Sequence, residues 1–283
     1  MKKIGIVSCN EWQGKIKEDL YLQEALKEQG KEADIISWED KTINYDEYDL
    51  LILRSVWGYQ HKYKEFKEWL LSIKDKGIKL LNEPDQILRN IRKNIQFAYL
   101  VNNDIPHIPT IIIYSKEDLD TLLSTVKTGV IKPIISGSGN NTFLVNEELD
   151  RNLLLSLLDI EDNGLMYQPF IEGIKDGEYA CIYIDNEPSH NMLRFPGIFS
   201  TKDKPKYLES IPEDVKALAD KVASLDEYKD ALYMRIDIVI NNGIPTIMEV
   251  ELAEPDLLFK YIPDENIRNN KVKEFAKKLI RRL

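Results

Sequence analysis

Residues 232–256 read LYMRIDIVINNGIPTIMEVELAEPD, and this stretch decides the predicted fold because it alternates apolar and charged residues on both sides of a turn. The alternation predicts two strands, 232–240 and 244–252, joined at Asn241-Asn242-Gly243. A three-residue loop closed by Gly243 in the left-handed conformation would pair odd-numbered residues with odd-numbered ones. A strict two-residue Asn-Gly turn would instead send the carboxylates of the two strands to opposite faces.

The predicted three-residue loop places all the charged residues of this hairpin on one face, namely Arg235, Asp237, Glu249 and Glu251. Three carboxylates that lie close together repel one another unless a cation is present. Hard oxygen ligands in this number suit Mg²⁺, which takes few protein ligands together with substrate phosphates. The sequence therefore predicts a metal site at Asp237, Glu249 and Glu251; a hairpin with a merely solvated outer face is the alternative.

Composition excludes several classes of protein. The 283 residues are 43% hydrophobic and 30% charged, as in an ordinary globular chain, and a net charge of -10 argues against a nucleic-acid partner. Cys9 and Cys181 are too few for a disulfide framework and fit a reducing, cytoplasmic setting. The first ten residues read as a buried strand rather than a signal peptide, and nothing predicts a membrane partner. A homodimer is left open.

The first hundred residues predict a small parallel α/β sheet, because apolar runs alternate with helical periodicity. We predict strands at 3–9, 33–38, 50–54 and 78–81, with helices at 15–29 and 62–76. Ligands of open α/β sheets bind beyond the carboxyl ends of the strands. Arg54, Ser55 and Trp57 follow one such strand and are candidate substrate-binding residues, with an ion pair and an aromatic plug as alternatives for Arg54 and Trp57.

A second unit follows a predicted helix at 86–103 and the prolines of a linker. We predict strands at 109–113, 129–133, 142–145 and 165–170 with helices at 116–126 and 147–158, and then a strand-rich portion, 177–252, with a helix near 212–224. The loop at residues 136–141, SGSGNN, follows Lys132 and connects two predicted strands. Small residues let backbone N–H groups approach a phosphate, although a flexible hairpin loop is the alternative.

Taken in order, these segments resemble the ATP-grasp superfamily, and the glutathione synthetase branch over residues 90–255 in particular. The resemblance rests on RKNIQFAYLVNNDIPHIPT around Lys93, on VIKPIISGSGNNTFLV around Lys132, and on MYQPFIEGIKDGEYACIYID, which is similar to the interdomain hinge. It implies an α/β (α+β) fold in which an N-terminal parallel α/β subdomain, 1–92, precedes two α+β subdomains, 93–170 and 171–283, that clasp ATP.

The resemblance also implies roles for individual residues. Arg194 and Arg235 would be catalytic, since the first resembles an arginine that contacts phosphates and the second would neutralise charge on the transferring phosphoryl group or the tetrahedral intermediate. Asp237, Glu249 and Glu251 would hold two Mg²⁺ ions, with Mn²⁺ as an alternative. Glu178 would reach the ribose hydroxyls, and Gln168–Ile171 would offer backbone groups to adenine. The full set of implied ATP-binding residues is Lys93, Lys132, Gly137, Ser138, Gly139, Gln168, Pro169, Phe170, Ile171 and Glu178.

Two further segments, LRSVWGY at 53–59 and ELAEPDLLF at 251–259, look like a subgroup that includes the ligase forming D-cycloserine from an O-ureido amino acid. Gly58 stands where that subgroup usually has an acidic residue, and PGIFSTKDKPKYL replaces a segment that contains Phe-Arg. The resemblance implies an ATP-dependent carboxylate-amine ligase, or a related enzyme forming a C–N bond, that acts on a small amino-acid-like substrate through an acylphosphate. Glu254 would bind the substrate's amino group. A small-molecule kinase and a non-catalytic nucleotide-binding protein are the alternatives.

Overall fold

The N-terminal part of the chain forms a parallel sheet flanked by helices, as predicted. The computed structural model describes residues 3–137, 142–146, 148–158, 164–195 and 204–283. The sheet has the strand order β2-β1-β3-β4, and its strands pair in parallel. Its elements are β1 (Lys3–Ser8), α1 (Lys17–Glu28), β2 (Ala33–Ser37), β3 (Tyr48–Leu53), α2 (Tyr63–Asp75) and β4 (Leu80–Leu81), with short 3₁₀ turns at Tyr45–Glu47 and Tyr59–Lys62.

The middle of the chain forms an antiparallel sheet of strand order β5-β8-β6-β7. The side chain of Asp150 caps the last helix of this part, since its Oδ1 accepts from the N–H groups of Asn152 (2.9 Å) and Leu153 (3.1 Å). The elements are α3 (Pro84–Asn90), α4 (Lys93–Asn102), β5 (Ile111–Ile113), α5 (Lys116–Thr125), β6 (Val130–Pro133), β7 (Phe143–Leu144), α6 (Arg151–Leu158) and β8 (Leu165–Gln168).

The C-terminal part is built on a second antiparallel sheet, of order β11-β10-β9-β12-β13, with the predicted hairpin at one end. Its elements are β9 (Glu178–Ile184), β10 (Glu187–Arg194), β11 (Lys206–Leu208), α7 (Glu213–Ala223), β12 (Tyr233–Asn241), β13 (Ile244–Glu251) and α8 (Glu265–Arg281), with 3₁₀ turns at Glu172–Asp176 and Phe259–Tyr261. Within the part of the chain that the structure describes, no helix is both long enough and apolar enough to cross a membrane.

The hairpin brings its carboxylates to one face, but by a different route from the predicted one. Asn241 pairs with Ile244, so the turn has two residues, Asn242 (φ 50°) and Gly243 (φ 79°), and the predicted three-residue loop is wrong. Positive φ at both positions matches the turn that follows the twist of the strands. A register shift then leaves Met248 as an extra residue, and Asp237 pairs with Glu249. This β-bulge restores the odd-to-odd pairing that the turn alone would have lost.

The single helix predicted at 86–103 is also wrong, because the structure breaks it into α3 and α4 at residues 91–92. The break lets two amide side chains reach the outer edge of β13. Asn90 donates to Val250 O (2.8 Å) and accepts from Leu252 N (3.0 Å), while Gln96 donates to Val250 O (2.7 Å) and accepts from Val250 N (3.0 Å). These side chains satisfy the backbone of the last strand of its sheet, where unpaired groups would be costly.

The first and last parts of the chain share one apolar core. Ile4, Ile6 and Leu26 of the parallel sheet and α1 pack in the same cluster as Phe275 and Leu279 of α8. The middle sheet has a separate and smaller cluster, formed by Ile113, Leu119, Leu122, Ile131, Val145, Leu154, Leu165 and Tyr167. Burial therefore joins the N-terminal and C-terminal parts directly, while Phe97, Leu100 and Met166 join the middle part to the C-terminal sheet through another cluster.

Candidate active site

A cavity of about 880 Å³ lies where the three parts of the chain meet. Its walls include Trp57 from the N-terminal part, Lys132 from the middle sheet and Arg235 from the hairpin. Most of the residues predicted from sequence line it. They are Trp57, Lys93, Lys132, Gly137, Gln168, Pro169, Phe170, Ile171, Glu178, Arg194, Arg235, Asp237, Glu249, Glu251 and Glu254.

The carboxylates of the hairpin converge on the cavity, each paired with a cation. Arg235 Nη2 lies 2.8 Å from Asp237 Oδ2 and 2.6 Å from Glu251 Oε1, because Arg235 and Glu251 are cross-strand partners. Arg194 on β10 reaches the same Asp237 oxygen at 3.2 Å. Lys93, the first residue of α4, forms an ion pair with Glu249. One strand pair thus sets a row of acidic groups against cations supplied by neighbouring elements.

The adenine side of the predicted site also has a consistent geometry. Gln168, the last residue of β8, leads into Pro169, Phe170 and Ile171, and all four line the cavity. Glu178 begins β9, where its carboxylate forms an ion pair with Arg194. Met248 lines the same cavity because the bulge turns it out of the regular alternation. The predicted phosphate-loop residues Ser138 and Gly139 lie outside the described residues.

Comparison with known proteins agrees with this arrangement. Residues 98–246 match the model of the prokaryotic glutathione synthetase ATP-grasp domain, and residues 4–82 match that of the N-terminal domain of the D-cycloserine synthetase DcsG. The chain belongs to the ATP-grasp family. It is an ATP-dependent ligase that forms a C–N bond and releases ADP and phosphate, so the predicted fold and type of reaction are confirmed.

Individual relatives of this ATP-grasp chain are distant in sequence but match over most of their length. The cycloserine biosynthesis protein DcsG of Streptomyces lavendulae is 24% identical over 286 residues, covering 93% of this chain and 92% of that protein. A crystal structure of the D-cycloserine synthetase DcsG superposes with a TM-score of 0.82 at 22% identity, covering 99% of both chains. The D-alanine–D-alanine ligase of Bacillus anthracis complexed with ATP gives 0.70 at 20% identity, covering 100% of this chain and 99% of that one.

Burial and charge shift the pKa values of several cavity groups of this ATP-grasp ligase. Burial, and then the neighbouring charge of Lys93, lower the pKa of Lys132 to about 8. Burial, and then the Glu251 carboxylate, raise the pKa of Glu254 to about 8. Burial opposes ionisation of Asp237, but Arg194 and Arg235 hold its pKa below the usual value. Asp237 is therefore a carboxylate at neutral pH, while Glu254 is mostly protonated.

ATP-grasp ligases use Mg²⁺ together with ATP, and the donor chemistry of the cavity fits that ion. Within the described part of the chain, no three His, Cys, Asp or Glu side chains are already arranged to hold a metal. Asp237, Glu249 and Glu251 nevertheless present hard oxygens from adjacent positions of the two strands. Their present cationic partners are side chains that phosphate oxygens also attract. ATP can therefore draw these cations away and leave carboxylate oxygens for the metal.

Two of the predicted substrate residues lie behind the cavity wall. Arg54 Nη2 donates to Pro255 O (3.1 Å) and lies 3.6 Å from a Glu18 oxygen. Ser55 Oγ donates to Asp19 and lies 2.7 Å from Ser8 Oγ, and both predicted residues are buried. Neither Arg54 nor Ser55 lines the cavity, and Arg54 Nη2 and Ser55 Oγ have protein partners, whereas the buried Arg54 Nη1 has none. Trp57, by contrast, lines the cavity.

Several cavity residues escaped the sequence analysis: Tyr59, Met248, Asp256, Leu258 and Lys260. The alternation of residues 244–252 predicts Met248 on the apolar face, because a bulge cannot be read from alternation alone. Asp256 and Lys260 lie four residues apart just beyond Glu254, and they form an ion pair at 2.8 Å. That spacing of opposite charges after the acidic strand was the available signal for them.

Proposed function

We propose that this enzyme phosphorylates the carboxylate of a small amino-acid-like molecule and that a nitrogen nucleophile then attacks the acylphosphate. The observation that supports this proposal is one cavity lined by two chemically different sets of side chains. Lysines, arginines and the paired carboxylates form one set, and the other set is Trp57, Tyr59, Glu254 and Asp256. The first set suits a nucleoside triphosphate and would form a nucleotide end, and the second suits a small polar molecule with a cationic group and would form a substrate end.

The nucleotide end would bind ATP through residues of the middle and C-terminal parts. Lys93 and Lys132 would contact phosphate oxygens, and the loop that begins at Ser136 and Gly137 would cover them. The backbone of Gln168–Ile171 would bind adenine, and Glu178 would bind the ribose. This assignment divides the molecule at the predicted boundaries, with 1–92 serving the substrate and with 93–170 and 171–283 holding the nucleotide.

Charge neutralisation is the main task of the protein's own groups in phosphoryl transfer. Arg235 would stabilise charge on the transferring phosphoryl group and Arg194 would contact the phosphates. Asp237, Glu249 and Glu251 would hold two Mg²⁺ ions, with Mn²⁺ as the alternative. Bound there, the metal would shield the negative charge of the terminal phosphates.

The substrate end would recognise an ammonium group. Glu254 lies in the cavity wall, and its pKa of about 8 means that a bound cation would favour the carboxylate form. Trp57 supplies a flat apolar surface beside it, and the ring centroids of Trp57 and Trp12 lie 6.0 Å apart. The relatives named for cycloserine formation suggest an O-ureido amino acid as one member of this substrate class.

The test is to measure phosphate release from Mg-ATP with amino acids, dipeptides and O-ureido amino acids, supplied singly and in pairs. We expect ADP and phosphate only when an acceptor carboxylate is present. Hydroxylamine should trap the acylphosphate as a hydroxamate, and ¹⁸O in the substrate carboxylate should appear in inorganic phosphate. Label in AMP, or no transfer of label during product formation, would rule out the acylphosphate. ADP formed with a stable phosphorylated product would identify a kinase.

A further inference from the structure

A short segment without regular structure, 254–257, forms the substrate end of the cavity and is held in an unusual way. Each of its backbone carbonyls accepts a hydrogen bond from a side chain that lies far away in the sequence. The four donors are Trp57 Nε1 to Glu254 O (3.0 Å), Arg54 Nη2 to Pro255 O (3.1 Å), Arg235 Nη1 to Asp256 O (3.2 Å) and His190 Nε2 to Leu257 O (2.7 Å). We call residues 254–257 the acceptor segment.

One amide of this acceptor segment and the amide that follows it are also hydrogen-bonded. Leu257 N donates to Glu18 Oε2 at 3.0 Å, and the next amide, that of Leu258, donates to Asp256 Oδ1 at 3.0 Å. Leu258 has φ 64°, a left-handed conformation that a leucine adopts only at a cost in backbone energy. The surrounding hydrogen bonds therefore impose the path of the chain at this point.

Three of the four donors are buried, and the four come from two different parts of the fold. Arg54 is 5% exposed, His190 4% and Arg235 3%. Burying such groups costs desolvation energy, whereas the carbonyls of an ordinary surface loop bind water. Burial lowers the pKa of His190 to about 4, so its ring is neutral at physiological pH. The fold thus uses buried polar side chains to bond backbone carbonyls that water could otherwise have bonded.

The fixed backbone determines what faces the cavity. Glu254 and Asp256 line the cavity, while Pro255 and Leu257, which alternate with them along the chain, are buried. Glu254 Oε1 also lies 3.3 Å from the point that a Cβ at Gly137 would occupy, so the acceptor segment lies close to the start of the phosphate loop. A small shift of this backbone would move the carboxylates relative to the nucleotide end, and reactions of this kind depend strongly on such distances.

We infer that Arg54 and His190 are positioning residues, which hold the acceptor segment so that Glu254 faces the ammonium group of the substrate. This inference rests on the proposed function for the identity of the substrate. It assigns Arg54 a role through Pro255 O in place of the substrate contact predicted from sequence. It also gives His190 a role that its sequence position did not reveal.

The decisive variants remove one donor each and keep the shape. His190→Phe preserves the ring that packs on Phe259 (centroids 4.8 Å apart) but cannot donate to Leu257 O, whereas His190→Gln retains a donor. Arg54→Met removes the donor to Pro255 O. Lys278→Met is the matched control, because Lys278 is a buried cation that donates to another backbone carbonyl, Ile184 O (2.8 Å), away from the cavity lining.

Two readouts are measured on the full chain, and the first needs no turnover. Hydrogen exchange of the Leu257 and Leu258 amides should be faster in His190→Phe and Arg54→Met, and His190→Gln should restore it. The second readout uses the carboxylate substrate that supports phosphate release. In His190→Phe and Arg54→Met, the KM for that substrate should rise about tenfold while the KM for ATP changes less than twofold. Lys278→Met should lower the melting temperature without either effect.

The inference is overturned if His190→Phe and Arg54→Met behave like Lys278→Met, with lower stability but unchanged exchange at 257–258. It is also overturned if His190→Gln fails to restore what His190→Phe loses. If none of the amino acids, dipeptides and O-ureido amino acids supports turnover, the proposed function fails. The hydrogen-exchange measurement still decides whether Arg54 and His190 hold the acceptor segment.

Discussion

Lys132 shows how a single residue can make nucleotide binding depend on pH. Its side chain lies in the cavity beside Lys93, and its pKa of about 8 is well below that of a free lysine. Phosphate groups placed near it favour the charged form and raise that pKa. Near pH 8 the free enzyme therefore carries a partly neutral Lys132, and with the proposed phosphate contact the ATP complex would carry a charged one. Below pH 7 the lysine is already protonated in both states.

We therefore predict that ATP binding takes up protons near pH 8 and much less at pH 6.5. Calorimetric titration in buffers with different ionisation enthalpies measures this uptake. Lys132→Arg is the control, because a guanidinium stays charged across this range and still contacts phosphate. Uptake should disappear in that variant. If it persists, Glu254, whose pKa is also about 8, is its source instead.

Arg235 is the residue on which the carboxylate face depends for stability. Arg235→Met would leave the buried Asp237 and the half-buried Glu251 without their shared cation, and breaking a buried pair costs about 3–5 kcal/mol. Arg151→Met, which removes the exposed pair with Asp120, should cost less than about 1 kcal/mol. Urea unfolding of the two variants measures both values. Equal values would show that other groups compensate for the loss of Arg235.

In the hairpin, the structure has the predicted arrangement of carboxylates on one face, but a different turn and register produce it. Alternation was sufficient to predict β12, β13 and their acidic face. The two-residue turn and the bulge at Met248 change the register twice, and the two changes cancel. A bulge depends on how the sheet packs, so the local sequence does not report it. The break between α3 and α4 has the same origin, since Asn90 and Gln96 serve the backbone of a strand about 150 residues later.

The bulge gives a prediction at this scale. Deleting Met248 would leave a regular ladder with Asp237 still opposite Glu249, so the hairpin should fold, while ATP binds more weakly because a cavity side chain is lost. Deleting Val250 should be far more damaging, because Glu251 would turn into the core and Leu252 onto the acidic face. Circular dichroism and nucleotide titration compare the two. A ΔMet248 variant that fails to fold would mean that the bulge is required for the sheet itself.

Alternation alone marked the acidic strand pair, whereas the family resemblance marked Lys93, Lys132 and the segment after β8. The structure places all of these in the lining of one cavity. Arg54 shows the limit of such reasoning. An arginine at a strand end has the same sequence signature whether it contacts a substrate or a backbone carbonyl, and its partner here, Pro255, lies 201 residues away. The acceptor segment has no periodicity of its own, so only the fold reveals what holds it.

At the scale of the whole molecule, the apolar clusters group the parts of the chain differently from their order in the sequence. The N-terminal sheet and the C-terminal helix α8 share one apolar cluster, and Asn82 adds polar links between them by donating to Tyr233 O (2.9 Å) and Leu252 O (2.8 Å). The middle sheet packs around its own cluster. Cooperative unfolding follows shared burial, so the first and last parts should unfold together although the middle part separates them in sequence.

The tryptophans make this prediction measurable, because all four lie in the N-terminal part, at positions 12, 38, 57 and 69. Leu279→Ala in α8 and Leu154→Ala in the middle sheet are the same chemical change at two sites that are 0% exposed, and each should cost about 2–5 kcal/mol. Leu279→Ala should shift the tryptophan fluorescence transition in urea, although Leu279 lies about 200 residues from the nearest tryptophan in sequence. Leu154→Ala should leave that transition in place and shift only part of the circular dichroism signal. An equal shift of the fluorescence transition by both variants would instead show that the whole chain unfolds as one unit.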